Sequence, residues 1–347
     1  MTLFEELDKQ RRKVDFDTYD ISVQQLLSMV GESVIDIAPE FQRHFRWEEH
    51  RQSQLIESIF LGIPVPSMFM ATNRDASWEV VDGVQRLSTL IHFAGESSIR
   101  EQIGLTDSLR IQNIEKLTQL NGKTFKELPK NIQVQFLLRP VKVVTLSDKS
   151  DTIVRFDLFE RLNTGGVRLS DQEIRGCVFR GLFNDFLTEM AAVPEFRTVV
   201  NLPPRRRDDR YEEECVLRFF AFFHEYKSFE HSVVEFLNEY MRRSTENFDY
   251  KHGRALFLLT FSELAILFPE GIARPARKST PINLYEGVAV GAGLAIDQNG
   301  KLPRLRNLDW VISEDLRKLT TGATNTPQMV GGRITFCAKR FGWKEES

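Results

Sequence analysis

Asp82, Gln85 and Arg86 stand close together behind a glycine in Val80-Val-Asp-Gly-Val-Gln-Arg-Leu-Ser-Thr-Leu90. Two valines, a glycine and leucines at helical spacing read as a strand that turns tightly into a helix. The first N–H groups of such a helix have no intrahelical acceptor, and its dipole places partial positive charge there. That end is a ready seat for an anion. Arg86 would add a guanidinium fork for phosphate oxygens. Asp82 would offer a carboxylate to a divalent cation or a ribose hydroxyl, and Gln85 an amide to orient a water. The same spacing also fits a capping box, with Asp82 over the helix end and Gln85 bonding back. On spacing alone both readings stand.

Two further clusters have chemistry to offer. Pro39-Glu-Phe-Gln-Arg-His-Phe-Arg-Trp47 places Gln42, Arg43, Arg46 and Trp47 together, which suits phosphate contact or base stacking. It equally suits a loop anchored by Phe41, Phe45 and Trp47 with solvated arginines. Phe159-Glu-Arg-Leu-Asn-Thr-Gly-Gly-Val-Arg168 brings Arg161, Asn163 and Arg168 beside the Gly165-Gly166 pair, where backbone amides could form a nest for an anion. An ordinary helix–loop–helix turn is the alternative. Ser170 and Glu173 form a capping box for the helix that follows, so those two are assigned to structure. Arg205, Arg206, Arg207 and Arg210 make a basic run that is either a solvated loop or a nucleic-acid contact.

Several classes are disfavoured. The six histidines lack H-E-x-x-H or paired metal spacing, and there is neither a G-x-x-x-x-G-K-[ST] loop nor a G-x-S-x-G elbow. Cys177, Cys215 and Cys337 are scattered, which reads as three buried thiols rather than a disulfide framework or a zinc site. A net charge of −3 argues against wholesale coating of a polyanion. The charged N-terminus has no apolar signal core, and the longest apolar runs are too short to span a bilayer, so no membrane association and a cytoplasmic location are expected.

The elements that must position these residues follow from periodicity. Residues 21–30 read as a short amphipathic helix, 34–37 as a strand, and 48–61 as a helix stopped by Gly62. Residues 67–72 and 78–81 read as a hairpin, and Leu87, Leu90, Ile91 and Phe93 mark the next helix. An insertion of strand and helix pieces fills 97–135. A strand covers 141–146 and a helix 151–162, and one helix runs from Ser170 towards Met190. Prolines and arginines over 194–210 read as a linker, and helices dominate beyond it. The expected architecture is α+β: a first domain over 1–200 and a mainly helical domain over 201–347.

Taken in order, Phe41-Gln-Arg-x-Phe-x-Trp47, Asp82-Gly-x-Gln-Arg-Leu-Ser-Thr-Leu90 and Phe159-x-Arg-Leu-Asn-Thr-Gly-Gly166 resemble the N-terminal domain of GmrSD-type, modification-dependent restriction endonucleases. The resemblance covers roughly residues 20–190. Glu213-Glu-Cys-Val-Leu-Arg-Phe-Phe220 is similar to the helical region of short stand-alone members. The resemblance implies a ParB/sulfiredoxin-like fold and nucleoside triphosphate binding and hydrolysis with Mg²⁺, tied to anti-phage defence. It implies that Asp82, Gln85 and Arg86 carry hydrolysis, with Asp82 a candidate metal ligand. Gln42, Arg43, Gly83, Arg161, Asn163, Gly165 and Gly166 would line the nucleotide. Val84 departs from the common Asp-Gly-Gln-Gln-Arg form of the family. The histidine-and-asparagine cluster of the HNH nuclease domain found in many relatives is not recognisable, so a separate nuclease subunit would do any cutting. The alternative is a ParB-like DNA-binding or regulatory module without turnover.

Overall fold

Val80, Met70, Glu79 and Ala71 are all fully buried, and since Glu79 and Ala71 alternate with Val80 and Met70 they face the other side of the same sheet, which is thus covered on both faces here. The computed structural model that shows this describes residues 2–5, 15–37, 47–73, 75–147, 152–162, 170–203, 209–275, 279–305, 307–322 and 324–345. Contacts divide the chain into two units, Met1–Arg168 and Leu169–Ser347.

The first unit is built on a five-stranded sheet of β1 (Phe16–Ser22), β2 (Ile35–Asp36), β3 (Met68–Thr72), β4 (Trp78–Asp82) and β5 (Pro140–Leu146). Their order is β1-β5-β3-β4-β2. β1 and β5 are antiparallel, β5 and β3 parallel, β3 and β4 antiparallel, and β4 and β2 parallel. The β3–β4 hairpin is therefore as expected, with a register shift between Phe69 and Met70 that sets Asp82 opposite Phe69. Helices α1 (Val23–Gly31), α2 (Glu49–Leu61) and α3 (Val84–Ala94) supply Leu26, Ile56, Leu87, Leu90 and Ile91 to one apolar core with Met68, Met70 and Val80. The expected helix over 21–30 is corrected at its start. Ile21 and Ser22 finish β1, and the Ser22 side chain caps α1 by accepting from the Gln25 N–H. β1 escaped detection because its first five residues are all exposed, so it shows no apolar alternation.

Residues 97–135 form α4 (Ser97–Gln102), two short 3-10 turns and α5 (Lys130–Leu137); the expected strand pieces are absent among the described residues. This segment docks on α2 through polar contacts. Glu57 accepts from the Lys116 and Leu117 N–H groups at 2.9 and 2.8 Å. Phe125 and Phe136 add an aromatic cluster around Phe93, with Phe93 and Phe136 edge-to-face at 5.3 Å. α6 (Thr152–Leu162) packs against β4 and buries Phe156 and Phe159.

The second unit is helical. Its first helices are α7 (Asp171–Val178) and α8 (Leu182–Ala191), not one helix to Met190. Gly181 at φ +134° breaks the run, a conformation no helix can continue through. Ser170 and Glu173 make both bonds of the expected capping box. The supposed linker contains α9 (Pro194–Val199), started by proline at its first position, which packs on α12 (Tyr250–Leu267). Residues 170–200, set with the first domain in the sequence reading, group by contacts with the second unit. Between α9 and α12 come α10 (Tyr211–Glu225) and α11 (Val233–Glu246). α13 (Ile282–Tyr285) then passes through a π turn, Glu286–Val290, into α14 (Gly291–Asn299). α15 (Glu314–Thr320) and α16 (Pro327–Arg340) close the unit.

Charges lie inside this unit. Arg218 donates to Glu214 at 2.7 Å and to Glu286 at 2.7 Å, and Arg175 donates to Glu214 at 3.1 Å. Arg333 completes the set on Glu286. Burial opposes the Glu214 charge, yet Arg218 and Arg175 outweigh it and hold the carboxyl below the ordinary range. All three cysteines are free and buried, as expected. Among the described residues no helix is long and apolar enough to cross a membrane.

Candidate functional site

β4 ends at Asp82 and α3 begins at Val84, so the expected strand–turn–helix is present. Gly83 is the N-cap, at φ +103° and ψ 8°, and no side chain caps the helix. The capping-box alternative is thereby set aside. Asp82 turns instead to Arg86, one helical turn on, whose Nη2 donates to Asp82 Oδ2 at 2.6 Å and to the Ser67 carbonyl at 3.1 Å. The Arg86 side chain is only 13% exposed, which keeps this pair from behaving as a solvated surface bridge. Arg86 Nε is shielded from solvent and has no hydrogen-bond partner among the described residues. Gly83 is required sterically as well as conformationally. A Cβ there would stand 2.9 Å from Met68 Cγ and 3.2 Å from Arg86 Nη2.

Gln85 is engaged from below. The Trp47 N–H donates to Gln85 Oε1 at 3.1 Å. The Trp47 carbonyl accepts from Gln52 Nε2 at 2.7 Å, and Gln52 Oε1 lies 2.8 Å from His92 Nδ1. A carbonyl only accepts, so Gln52 must present its amine to Trp47 and its oxygen to His92. His92 therefore carries its proton on Nδ1. Burial, followed by the nearby Arg100 charge, lowers the His92 pKa to about 4, so the ring is neutral at neutral pH. The Trp47 ring packs against the core of the first unit, with the Arg51 guanidinium 4.4 Å from its centroid.

The structure thus brings Asp82, Gly83, Gln85 and Arg86 together. Arg161 is exposed in the last turn of α6. Gln42, Arg43, Asn163, Gly165 and Gly166 lie outside the described residues, as do Arg205, Arg206 and Arg207. Arg210 is turned inward. It sits at φ +56° just before α10, 15% exposed, with its guanidinium over Gly176 and Nε 3.5 Å from Glu213. Sequence reasoning missed Gln52, His92 and the Ser67 carbonyl. The one available signal was the seven-residue spacing of Gln85 and His92, which sets them on one face of α3.

Among the described residues no group of three or more His, Cys, Asp or Glu is arranged to hold a metal ion. Among the described residues, Asp82 Oδ1 has no partner after Oδ2 goes to Arg86. One free carboxylate oxygen does not make a resident metal site. It does fit magnesium carried in on phosphates, which typically takes one or two protein carboxylates. Two clefts of about 430 and 450 Å³ open in the helical unit, around His224, Tyr240 and His252 and around Glu230, Glu235 and Glu239. Neither contains an expected site residue.

Residues 23–179 match the family described as GmrSD restriction endonuclease, N-terminal domain. That stretch is similar to this family. The match takes in β4, the glycine turn, α3 and α6, and so every described residue of the site; it covers under half of the 347-residue chain and stops at the end of α7. The match suggests a module of restriction-system type for this stretch. No curated protein and no solved structure matches the chain.

Proposed function

We propose that the GmrSD-type N-terminal domain binds a nucleoside triphosphate at the start of α3 and hydrolyses it with Mg²⁺, as the switch of an anti-phage restriction system. The observation that carries this reading is the helix N-terminus without a side-chain cap, with the guanidinium of Arg86 folded beside it and Arg86 Nε unsatisfied. A buried donor left without a partner costs stability, and an anion at that turn would satisfy it. The α3 amides and dipole would bind phosphate oxygens. Arg86 would neutralise charge that develops in transfer, and Asp82 Oδ1 would hold the magnesium, which spreads the phosphate charge when bound. Gln85 Oε1 accepts from the Trp47 N–H and keeps a second lone pair, through which it could orient an attacking water. Such catalysis rests on positioning and electrostatics. A separate nuclease subunit would do the cutting. Of the basic run invoked for the DNA-binding alternative, the described member, Arg210, is paired inward with Glu213.

The test is a panel of NTPs with Mg²⁺, assayed for phosphate release, with Asp82→Ala as the control for contaminating activity. Calorimetry on Arg86→Ala should show nucleotide affinity reduced beyond detection. Wild-type affinity in that variant would sink the reading.

A further inference from the structure

The peptide of Trp47 is gripped on both sides. Gln85, in the first turn of α3, accepts its N–H, and Gln52, in the first turn of α2, donates to its carbonyl. Gln52 is 3% exposed and His92 7%, so neither is a surface group that happens to lie nearby. His92 stands two turns beyond Gln85 on the same face of α3, and its Nδ1 lies 2.8 Å from Gln52 Oε1, so the amide orientation that serves the Trp47 carbonyl also serves the ring. If the amide flipped, its carbonyl would face the Trp47 carbonyl and leave two acceptors without a donor between them. One helix thus holds the Trp47 peptide twice, directly through Gln85 and indirectly through His92 and Gln52.

We propose that Gln52 and His92 are positioning residues for the nucleotide site. With Gln85 they form a clamp that fixes the chain at Trp47, where it enters α2, against the turn of α3 that would meet the phosphates. Gln85 then serves the site chiefly through Trp47. The role in binding rests on the proposed function; the clamp itself does not. Because Gln85 belongs both to the clamp and to the first turn of α3, ligand binding there and closure of the clamp are coupled. Linkage makes the coupling reciprocal: whatever factor the nucleotide adds to Trp47 protection, loss of the clamp removes from nucleotide affinity.

The experiment measures hydrogen exchange by mass spectrometry in peptides covering Trp47, alongside calorimetric titration with the NTP that the wild-type protein binds. Gln52→Met and His92→Phe keep approximate volume and remove the bonds. Gln85→Glu keeps an acceptor for the Trp47 N–H, and Gln85→Met does not. Thermal melting confirms that each variant folds. Gln52→Met, His92→Phe and Gln85→Met should expose the Trp47 amide, while Gln85→Glu retains its protection. Gln52→Met and His92→Phe should weaken nucleotide binding about fivefold, the worth of one hydrogen bond. Unchanged exchange in both Gln52→Met and His92→Phe overturns the clamp, and lost protection with wild-type affinity overturns its role in binding. A wild-type protein that binds no NTP refutes the proposed function instead, and the exchange data still decide the clamp.

Discussion

Replacing Gly83 with alanine should damage the first unit twice over, and the two parts can be separated. A side chain at positive φ costs about 1–2 kcal/mol, and Gly83 sits at φ +103°. The added methyl would lie 2.9 Å from Met68 Cγ, and Met68 is 1% exposed in the core, so it has no solvent to retreat into. Overpacking of that kind costs about 1–3 kcal/mol. Together the loss is about 2–5 kcal/mol, a large share of the stability of a typical domain. Gly104 supplies the comparison. It also has positive φ, +74°, but a Cβ there would meet nothing within 4 Å. Gly104→Ala should therefore show the conformational part alone.

The assay is urea unfolding followed by the fluorescence of Trp47 and Trp78, with Trp310 and Trp343 changed to phenylalanine so that only the first unit reports. At a slope of about 1–3 kcal/mol per molar urea, Gly83→Ala should move the midpoint down by roughly 1–2 M. Gly104→Ala should move it by about half as much or less. The methyl would also stand 3.2 Å from Arg86 Nη2, so Gly83→Ala should lose nucleotide affinity at urea concentrations where it is still folded. Equal destabilisation by the two variants would refute the steric part of the reasoning. A fully folded Gly83→Ala protein with wild-type nucleotide affinity would refute the claim that this turn is the phosphate seat.

In the helical unit, Glu286→Ala would leave Arg218 and Arg333 buried without their shared carboxylate, at a cost of about 3–5 kcal/mol; a melting temperature within a degree of wild type would contradict the buried network. His92 has its pKa held at about 4 in the fold against 6.5 when free. Unfolding therefore takes up a proton between those values. The stability that this contributes is complete above pH 6.5 and is lost as pH falls towards 4, at up to about 1.4 kcal/mol per pH unit. His92→Gln should flatten that slope in urea titrations, and an unchanged slope would assign it to other groups. The Asp82 carboxylate stands at the turn where the triphosphate is proposed to bind, and like charges repel. Nucleotide affinity should fall steeply when EDTA removes Mg²⁺, and fall less in Asp82→Asn; identical dependence in both proteins would separate Asp82 from the metal.

How much was legible in the sequence depended on whether a residue's partner was local. The turn at Gly83 and the core face of α3 were readable, because strand-to-helix chemistry and 3.6-residue spacing are properties of one short segment. The hairpin, α2 and the Ser170 capping box were readable for the same reason. The relation of Asp82 to Gln85 was not: the Asp82-x-x-Gln85 spacing suits a cap, but Arg86 at i+4 offers the carboxylate a charged partner and Trp47 offers Gln85 a peptide from 38 residues away. Gln52 and His92 were invisible because their meaning lies in each other, 40 residues apart. Arg210 read as part of a basic stripe because composition carries no direction; only the fold shows it facing Gly176 and Glu213.

The run Glu213-Glu-Cys-Val-Leu-Arg-Phe-Phe220 shows the same limit from the other side, since it was noticed through resemblance and is explained only by packing. Glu214 and Arg218 are one turn apart on α10 and pair there, but neither would be buried for that pairing alone. Each carboxylate of the network is shared by two guanidiniums. Glu214 takes Arg175 from α7 and Arg218, and Glu286 takes Arg218 and Arg333 from α16. Three arginines against two glutamates leave positive charge inside, which the side-chain oxygens of Gln172 and Asn238 on Arg175 help to offset. Buried ion pairs seldom outdo apolar residues of equal volume, yet removing one member strands the others, so the set persists or fails as a whole. The pairing is tied to register: only when α7, α10 and α16 are aligned, and the π turn brings Glu286 between Arg218 and Arg333, does each carboxylate meet both of its guanidiniums.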